Sequence, residues 1–403
     1  MADNALAVFI SGNMMKLKNK DPNAIYYKSD FTTAEEMLAY GEMISEQIEA
    51  EGAILFKNEN NALPLASGSK VSCFSTSSVN LIYGGTGSGT IDTSKSDTLK
   101  SALAKVNVFV NETLWEFYTT GAAAEYTRGE SGYFPKKSAL YEAPWSLYTD
   151  DVLSSVTQYG DAAIVVISRA GGEEWDLEHQ SFNYLAFGEH EHALLKNVCR
   201  MRDEGKISSV IVLINSSNPI EMTFLDTYDV DACMQIGMVG AHGINAVADL
   251  LVGNVTPSGR LADTWCHEYY SAPSMWNFTS TEYENAKKAG VPGNADSYMI
   301  YQEGIYIGYR YYETRYEDYV TGRGNAGDYR YSSVVAYPFG YGLSYTSFAY
   351  SDMQVRYDEK KDCFTVSVTV TNTGDASGKE AVQVYGQSPY TDYDKNTAWR
   401  NPP

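Results

Sequence analysis

The sequence is poor in basic residues. Its 403 residues include 30 Lys and Arg against 51 Asp and Glu, which gives a formal net charge of −21. A surface of this charge repels phosphate backbones and anionic lipid headgroups, so we expect neither nucleic acid nor a membrane surface as a partner. Neutral or cationic ligands fit the composition better.

Long apolar runs are also missing. No stretch reaches the roughly 18 to 20 apolar residues that a membrane span requires. The N-terminal stretch ALAVFISGNMM has no basic segment before it and no clear cleavage site, so it does not predict a signal peptide. We expect a chain that is cytoplasmic as expressed, and its native location stays open.

The sequence lacks the cysteine and histidine patterns of metal sites and disulfide frameworks. Its cysteines are odd in number, far apart and never in a CxxC pair, so we interpret them as reduced core residues. They are Cys73, Cys199, Cys233, Cys266 and Cys363. His190 and His192 would face different sides of a helix, which favours a solvated face over a shared metal. There is no HExxH, GxSxG or P-loop motif, and we expect no metal and no cofactor.

What the sequence does contain is hydrophobic and aromatic material. Hydrophobic residues make up 44% of the chain, and 33 Tyr accompany 6 Trp. The chain can therefore bury real cores, and its length suggests two or three compact units. Aromatic rings stack on sugar faces, although most such residues only pack, so carbohydrate is weakly favoured.

The first part of the chain predicts a layered α/β/α sandwich with a mostly parallel sheet. Residues 1–50 form an N-terminal lead and a helix, which begins at a capping box of Thr33 and Glu36 and ends at Gly52. Apolar strands such as AAIVVIS and SSVIVLINSS then alternate with amphipathic helical stretches. This alternation is typical of a sheet covered on both faces, and we assign it to residues 51–265.

The second part changes character twice. Residues 266–345 are rich in Tyr and Gly with little periodicity, and we interpret them as an ordered excursion that closes the sandwich domain. Residues 346–403 alternate with a period of two in FAYSDMQVRYD, CFTVSVTVTNTG and KEAVQVYGQSPY. These three strands predict a partial antiparallel β-sandwich.

Seven segments in order resemble the second half of the family 3 glycoside hydrolases, a group of β-glucosidases and β-xylosidases. They are EGAILFKNENNALPL, YGGTGSG, VISRAGGEEWD, VLINSSNPIEM, LLVGNVTPSGRLADTW, YQEGIYIGYRYY and YPFGYGLSYTSF. The resemblance implies an α/β sandwich domain followed by a truncated fibronectin type III-like domain. In that family a separate (β/α)8 barrel carries the nucleophilic Asp, and this sequence does not contain that barrel.

Some family members place the sandwich first and the barrel last, and this sequence begins near such a start. Its final residues, KNTAWRNPP, suit neither a strand nor the usual continuation of the family. We interpret this tail as the product of a frameshift that removed a downstream barrel.

The resemblance also implies an acid/base carboxylate. The family often has a GEG-aromatic-Asp pattern here, and GGEEWD places Glu173 at the acid/base position, Trp175 at the aromatic and Asp176 at the aspartate. Glu174 replaces a glycine of that pattern, and a second carboxylate beside Glu173 would favour its protonated form. A solvated loop, or a role for Glu174 or Glu178 instead, stays open.

The segment YGGTGSG has two interpretations from its residues. Its spacing is not that of a dinucleotide-binding GxGxxG motif, and no ribose-binding acid follows. The resemblance makes it a substrate-binding loop at the cleft, with Tyr83, Gly84, Gly85, Gly87 and Ser88 as its members. A turn with purely structural glycines is the alternative.

Other polar positions are less specific. Asn215, Ser216 and Ser217 end a strand, where they either contact a ligand or only terminate the strand. Arg260 in PSGRL is interpreted as a loop anchor, and YPFGYGLSY as packing between domains.

These observations lead to two hypotheses. The first is a truncated β-glucosidase-like hydrolase that supplies the acid/base half of a site for terminal β-glucosides or xylosides and is weak or inactive alone. The second is a non-catalytic carbohydrate-binding or assembly module that pairs with a second copy or with a separate barrel chain. A self-sufficient site that combines Glu173 with Glu303 or Asp176 is a third possibility that the sequence does not test.

Overall fold

The structure is a computed structural model that describes residues 30–85, 87–127, 142–171, 184–276, 281–293, 295–322, 324 and 326–386. The chain divides into two compact units after Ile44. In the described ranges no helix is long and apolar enough to cross a membrane. The domain boundaries at residues 50, 265 and 345 stay predictions.

The predicted first helix, α1, spans Ala34–Gly52. The hydroxyl oxygen of Thr33 accepts a hydrogen bond from the backbone N–H of Glu36 at 3.1 Å. The Glu36 carboxylate accepts from the backbone N–H of Thr32 at 2.8 Å, one residue earlier than a standard capping box requires. The cap and the end of the helix at Gly52 are confirmed.

The central sheet has six strands, in the order β1-β6-β5-β4-β2-β3. The strands are β1 (Ile54–Asn58), β2 (Lys70–Phe74), β3 (Phe109–Val110), β4 (Ala162–Arg169), β5 (Val210–Ser216) and β6 (Ala232–Gln235). Strand β1 pairs antiparallel with β6, and all the other pairs are parallel. The predicted mostly parallel sheet is confirmed.

Both faces of this sheet are buried, which explains the continuous apolar runs. Along β4, Val165 and Ile167 belong to one hydrophobic core, while Ile164 and Val166 belong to a second core on the other face. Successive side chains of a strand point to opposite faces, so a strand buried on both sides must be apolar at every position.

Helices cover the two faces. They are α2 (Thr76–Val79), α3 (Leu99–Lys105), α4 (Glu112–Thr119), α5 (Asp150–Gln158), α6 (Glu189–Asp203), α7 (Thr223–Thr227) and α8 (Ile244–Leu251). The first core receives side chains from α4, α5 and α6. The second core receives them from α3 and α8. The layered α/β/α prediction is therefore confirmed.

Short elements follow the sheet and surround a small third core. They are β7 (Trp265–Cys266), α9 (Pro273–Trp276), β8 (Thr281–Glu282), β9 (Ser297–Tyr298), α10 (Tyr309–Thr321), α11 (Tyr331–Val334) and β10 (Val335–Tyr337). Tyr312 of α10 packs in this core with Cys266 and Val335. The sequence did not predict α10, because tyrosines on both the buried and the exposed sides obscure its period.

The last two strands, β11 (Phe348–Asp358) and β12 (Cys363–Asn372), form an antiparallel hairpin. Both were predicted, whereas the third expected strand is wrong in the described residues, since 379–386 has no strand. Cys363 is exposed on this hairpin, while the other four cysteines are buried. The prediction of core cysteines therefore fails for Cys363, because it points from the polar face of the hairpin.

The segment YPFGYGLSY packs on the α/β sheet, as predicted. The Tyr341 hydroxyl donates to the carbonyl of Phe56, and the Tyr345 hydroxyl donates to the carbonyl of Leu250, both at 2.9 Å. Leu343 bridges to Leu55 of β1. These contacts connect the hairpin to the sheet that precedes it.

Arg260 is a second connection to the hairpin, and its predicted role as an anchor is confirmed. Its Nη2 atom donates to the Glu380 carboxylate at 2.8 Å, and the other oxygen of Glu380 accepts from the Tyr350 hydroxyl at 2.8 Å. The two charged side chains are only 14% and 17% exposed, so solvent screens the pair weakly.

Arg260→Met should loosen the hairpin, because it leaves the carboxylate of Glu380 half-enclosed without its cation. We expect amide hydrogen exchange in residues 348–372 to accelerate on the order of tenfold, while the sheet keeps its protection. Mass-spectrometric hydrogen exchange measures both. Arg356→Met in the exposed part of the hairpin is the control, and equal exchange in the two variants would contradict the assignment.

Candidate active site

The carboxyl ends of the parallel strands form one edge of the sheet, where open α/β sheets bind ligands. The segments at this edge are the starts of the loops after β2, β4, β5 and β6. Two predicted site segments lie here, the glycine-rich loop and the beginning of the acidic stretch.

A buried ion pair joins the two ends of the acidic stretch. The Arg169 guanidinium binds both carboxylate oxygens of Glu191, at 2.7 and 2.8 Å, and the two side chains are 1% and 7% exposed. Arg169 also donates to the backbone carbonyls of Tyr184 at 2.6 Å and Ala186 at 2.7 Å. One side chain at the end of β4 therefore holds the chain where it returns to α6.

The return segment is fixed from the other direction as well. The backbone N–H of Ala170 donates to the Tyr184 hydroxyl at 2.8 Å, and the Arg169 guanidinium lies 5.6 Å from the centre of the Tyr184 ring. The backbone N–H of Gly188 donates to Glu191 at 2.8 Å, which places this carboxylate at the start of α6. Sequence reasoning missed this arrangement, although a charged residue that ends an apolar strand was a usable signal.

The residues predicted to carry the chemistry lie within the acidic stretch between these anchors. Glu173, Glu174, Trp175 and Asp176 are all outside the described residues. Their roles stay predictions.

The glycine-rich loop approaches the start of that stretch. A methyl group on Gly85 would lie 3.7 Å from the carbonyl oxygen of Gly171, an ordinary van der Waals distance, so the glycine-rich loop runs beside the start of the acidic stretch. A methyl group on Gly84 would lie 2.8 Å from the carbonyl oxygen of Gly89, closer than a side chain tolerates. Gly87 has φ +69° and begins a 3-10 turn that exposes Ser88. The structure thus brings the two predicted segments together at Gly85 and Gly171.

Tyr83 points away from this contact into the domain. Its hydroxyl donates to the backbone carbonyl of Asp97 at 3.0 Å, and its own carbonyl accepts from Gly240 at 2.8 Å. The Asp97 carboxylate in turn accepts from His242 and Lys105, both at 2.8 Å. These contacts fix the start of the glycine-rich loop to the segments that carry Asp97 and Gly240.

The Asp97 carboxylate is strongly stabilised in its charged form. Partial burial opposes ionisation, but the hydrogen bonds from His242, Lys105 and Asn245 outweigh it and lower the pKa of Asp97. Asp97 is therefore a fixed anion that anchors the loop.

Asn215 has a structural role at the same edge. Its amide nitrogen donates to the carbonyls of Ile82 at 3.0 Å and Gly237 at 2.7 Å. Its amide oxygen accepts from the N–H of Ile82 at 2.6 Å and the hydroxyl of Ser168 at 3.0 Å. This uses the full capacity of a buried amide, so of the two interpretations the structure favours a structural one. Ser216 hydrogen-bonds to Asn218 at 2.8 Å, and Ser217 is exposed.

Two carboxyl groups, that of the buried Glu142 and that of the partly buried Glu49, carry raised pKa values that the sequence did not indicate. Burial raises the pKa of Glu142 to about 8, against hydrogen bonds from Ser75 and from the backbone N–H groups of Ala143 and Thr76. Burial also raises the pKa of Glu49 to about 8. One carboxylate oxygen of each has no hydrogen-bond partner among the described residues. Glu142 lies beside the end of β2 but is enclosed, so it is a structural acid.

The remaining polar candidates do not form a site in the described residues. No three His, Cys, Asp or Glu side chains converge there to hold a metal. His190 is exposed, whereas His192 is partly buried, with Nδ1 3.0 Å from the Tyr228 hydroxyl, so the predicted solvated face holds only for His190. Glu303 is half-buried in the turns before α10, and its spacing to Glu173 is not tested.

A family model matches this domain. The model is the glycosyl hydrolase family 3 C-terminal domain, and it matches residues 53–309. The chain belongs to glycosyl hydrolase family 3. Its resemblance to that family is thereby confirmed over the sheet, the glycine-rich loop and the segment up to the start of α10.

The relatives of this family 3 chain include several β-glucosidases. A β-glucosidase of Ruminococcus albus is 31% identical over 345 residues, which are 85% of this chain and 32% of that protein. β-Glucosidase A of Butyrivibrio fibrisolvens is 30% identical over 386 residues, which are 86% of this chain and 41% of that protein. The chain thus spans about a third to two fifths of these curated relatives.

Solved structures of β-glucosidases also match most of this chain, and the match covers less than half of each solved chain. β-Glucosidase 3B from Thermotoga neapolitana, in complex with α-D-glucose, superposes with a TM-score of 0.67 at 29% identity, over 84% of this chain and 42% of that one. A β-glucosidase from Paenibacillus barengoltzii superposes with a TM-score of 0.66 at 32% identity, over 84% of this chain and 33% of that one. The fold and the family agree.

Arg169→Met should destabilise the domain by about 3 to 5 kcal/mol, because it leaves Glu191 charged and unpaired in the interior. Chemical denaturation followed by circular dichroism measures the loss. Arg200→Met on the exposed side of the same helix is the control, since its pair with Glu204 is largely solvated and contributes about 1 kcal/mol or less. Equal losses in the two variants would contradict the role of the buried pair.

Glu142→Gln should change how stability depends on pH. The folded pKa of about 8 lies above the ordinary value of 4.5, so the folded protein keeps a proton that the unfolded chain releases between these values. The stabilisation that this retained proton contributes is therefore fully present below pH 4.5, and it is lost as the pH rises to about 8. We expect Glu142→Gln to be more stable than the unmodified chain at high pH, by on the order of 2 to 4 kcal/mol.

Calorimetric melting between about pH 5 and 9 at constant ionic strength tests this expectation. Glu49→Gln should show a similar change, because burial raises the pKa of Glu49 in the same way. Glu125→Gln, at an exposed position, is the control and should follow the unmodified chain. A Glu142→Gln curve parallel to that of the unmodified chain would show that this proton is not retained on folding.

Proposed function

We propose that this chain supplies the general acid/base of a retaining β-glucosidase-type site, acting on terminal β-D-glucosides or xylosides. The acid/base is Glu173, which donates a proton to the departing glycosidic oxygen and then removes one from the attacking water. The nucleophilic carboxylate comes from a barrel that pairs with this domain. The substrate is a neutral sugar, which is compatible with the net charge of −21.

The proximity of Gly85 to Gly171 is the observation that carries this proposal. It joins the glycine-rich loop to the residue that starts the acidic stretch, at the edge where α/β sheets bind ligands. In its described residues from 84 to 89 the loop consists of glycines and one exposed serine, Ser88, so a sugar can approach its backbone. Membership of a family whose matched relatives are named β-glucosidases supports the same reaction class.

The anchoring of the acidic stretch also supports the proposal. A general acid must stay within hydrogen-bond reach of the departing oxygen, so the ends of the loop that carries it must be held in place. Arg169 holds them through its bonds to Glu191 and to the carbonyls of Tyr184 and Ala186. We therefore expect Arg169 to position Glu173 without touching the sugar.

The proposal is tested first with the chain alone. Retaining hydrolysis needs two carboxyl groups about 5 to 5.5 Å apart. Since the second one is assigned to a barrel, we expect no release of 4-nitrophenol from 4-nitrophenyl β-D-glucoside above the uncatalysed rate. Release that disappears in Glu173→Gln would show instead that this chain holds a complete site.

The second test joins the chain to a barrel domain from a family 3 β-glucosidase. We expect hydrolysis to appear, and Glu173→Gln to lower kcat/KM about 10²- to 10⁴-fold for alkyl glucosides that need a proton on the leaving oxygen. The same variant should barely change kcat/KM for 2,4-dinitrophenyl glucoside, whose leaving group needs no proton, although kcat should fall because the attacking water loses its general base. Glu174→Gln and Glu178→Gln are the matched variants, and the same leaving-group pattern in either would reassign the acid/base.

A non-catalytic carbohydrate-binding module is the second candidate, favoured by the exposed rings of Trp276, Tyr283 and Tyr301. Such rings stack on sugar faces. Calorimetric titration of the chain with glucose and cellobiose distinguishes the two candidates, because binding that Trp276→Ala abolishes and Glu173→Gln leaves intact fits only this module.

A further inference from the structure

Ser75 adopts a backbone conformation that serine normally avoids. It directly follows β2 with φ 84° and ψ 143°, a region of backbone angles that is populated almost only by glycine. A serine stays in such a region only where its surroundings hold it there. The turn between β2 and α2 therefore depends on the contacts that Ser75 makes.

Ser75 is held from three directions. Its backbone N–H donates to the Tyr118 hydroxyl at 2.8 Å, and its hydroxyl oxygen accepts from the backbone N–H of Ser77 at 3.1 Å. The hydroxyl proton of Ser75 is donated to the carboxyl group of Glu142. Burial raises the pKa of Tyr118 well above its ordinary value, so of these partners only Glu142 changes its charge in the ordinary pH range.

Glu142 is buried without a counterion among the described residues. It is 3% exposed, and its Oε1 atom accepts from the backbone N–H of Ala143 at 2.9 Å, while Oε2 has no hydrogen-bond partner there. The negative charge of Glu191 opposes a second one nearby, and Arg169 is already bound to Glu191 through both Nη atoms. Burial keeps Tyr148 neutral, because it raises the pKa of this neighbour well above the ordinary value. These surroundings accommodate Glu142 as the neutral acid.

We propose that Glu142 and Ser75 form a proton-controlled latch, in which the neutral acid holds the turn closed and loss of its proton opens residues 75–82 while the sheet stays folded. The carboxylate leaves the core for water, since no cation receives it there. Ser75 then loses the acceptor of its hydroxyl proton and relaxes from its unfavourable backbone angles. Residues 75–82 lead directly into the glycine-rich loop, so the latch determines how firmly that loop is attached.

Opening of the latch releases a proton. Burial raises the pKa of Glu142 to about 8 in the closed form, whereas in the open form the carboxyl group is in water and has the ordinary value of 4.5. Between these values the closed form keeps a proton that the open form has lost, so the opening equilibrium constant rises almost tenfold per pH unit. Above about pH 8 both forms are charged, and the constant levels off. The latch does not depend on the proposed glycosidase function.

Hydrogen exchange of the full chain, measured by mass spectrometry between about pH 5.5 and 7.5, tests the latch. Protection factors remove the intrinsic effect of pH on exchange, and the amides of Ser75 and Ser77 report on the turn because both donate hydrogen bonds within it. We expect the protection of residues 75–82 to fall roughly 50- to 100-fold over this range. Strand β5 should stay better protected at every pH, since it exchanges only through wider unfolding.

Two variants separate the parts of the latch. Glu142→Gln has an uncharged side chain of the same shape, so the protection of residues 75–82 should change less than about threefold with pH. Ser75→Gly adopts φ 84° without strain, so its turn should stay closed when Glu142 loses the proton, and the effect of pH should again disappear. Glu125→Gln, at an exposed position, is the control and should keep the full effect.

Three results would overturn the proposal. The first is protection of residues 75–82 that does not change with pH in the unmodified chain, and the second is an unchanged effect of pH in Glu142→Gln. The third is exchange of residues 75–82 at the level of β5, with the same sensitivity to about 0.5 M guanidinium chloride, because the turn would then open only with the whole domain. Should Glu142→Gln fail to fold, the unmodified chain and Ser75→Gly still decide the question.

Discussion

The buried pair of Arg169 and Glu191 is the interaction on which the candidate site depends. Strand β4 ends at Arg169, and the chain that leaves it must return to α6 at a defined place. A single guanidinium fixes that return, because it binds a carboxylate of the helix and two carbonyls of the incoming chain at the same time. A lysine has one point charge instead of a planar fork and cannot make this set of contacts.

Much of the fold could be predicted from the sequence because both faces of the sheet are buried. Strands β4 and β5 carry continuous apolar runs before the polar residues at their ends, and such runs can be recognised without knowing which strands lie beside them. The helices α4 and α5 were missed, since short helices between loops give few turns of periodicity. Helix α10 was missed for a different reason, because tyrosine is both apolar and polar and does not mark a buried face.

The candidate site was less predictable than the fold. Sequence reasoning identified the glycine-rich loop and the acidic stretch as separate segments, and only the three-dimensional proximity of Gly85 to Gly171 relates them. Asn215 looked like a possible ligand contact, but two of its hydrogen bonds run to Ile82, 133 positions away, which no local pattern reveals. The raised pKa of Glu142 arises from burial and is equally invisible in the sequence.

The close approach of Gly84 to neighbouring backbone limits how this loop can diversify. A side chain at Gly84 would collide with the carbonyl of Gly89, so the first turn of the loop offers only main-chain atoms to its surroundings. New side chains in this loop would therefore have to arise at outward positions such as Ser88 or through changes in loop length. Directed evolution of this domain would best leave Gly84 unchanged and diversify the exposed tip.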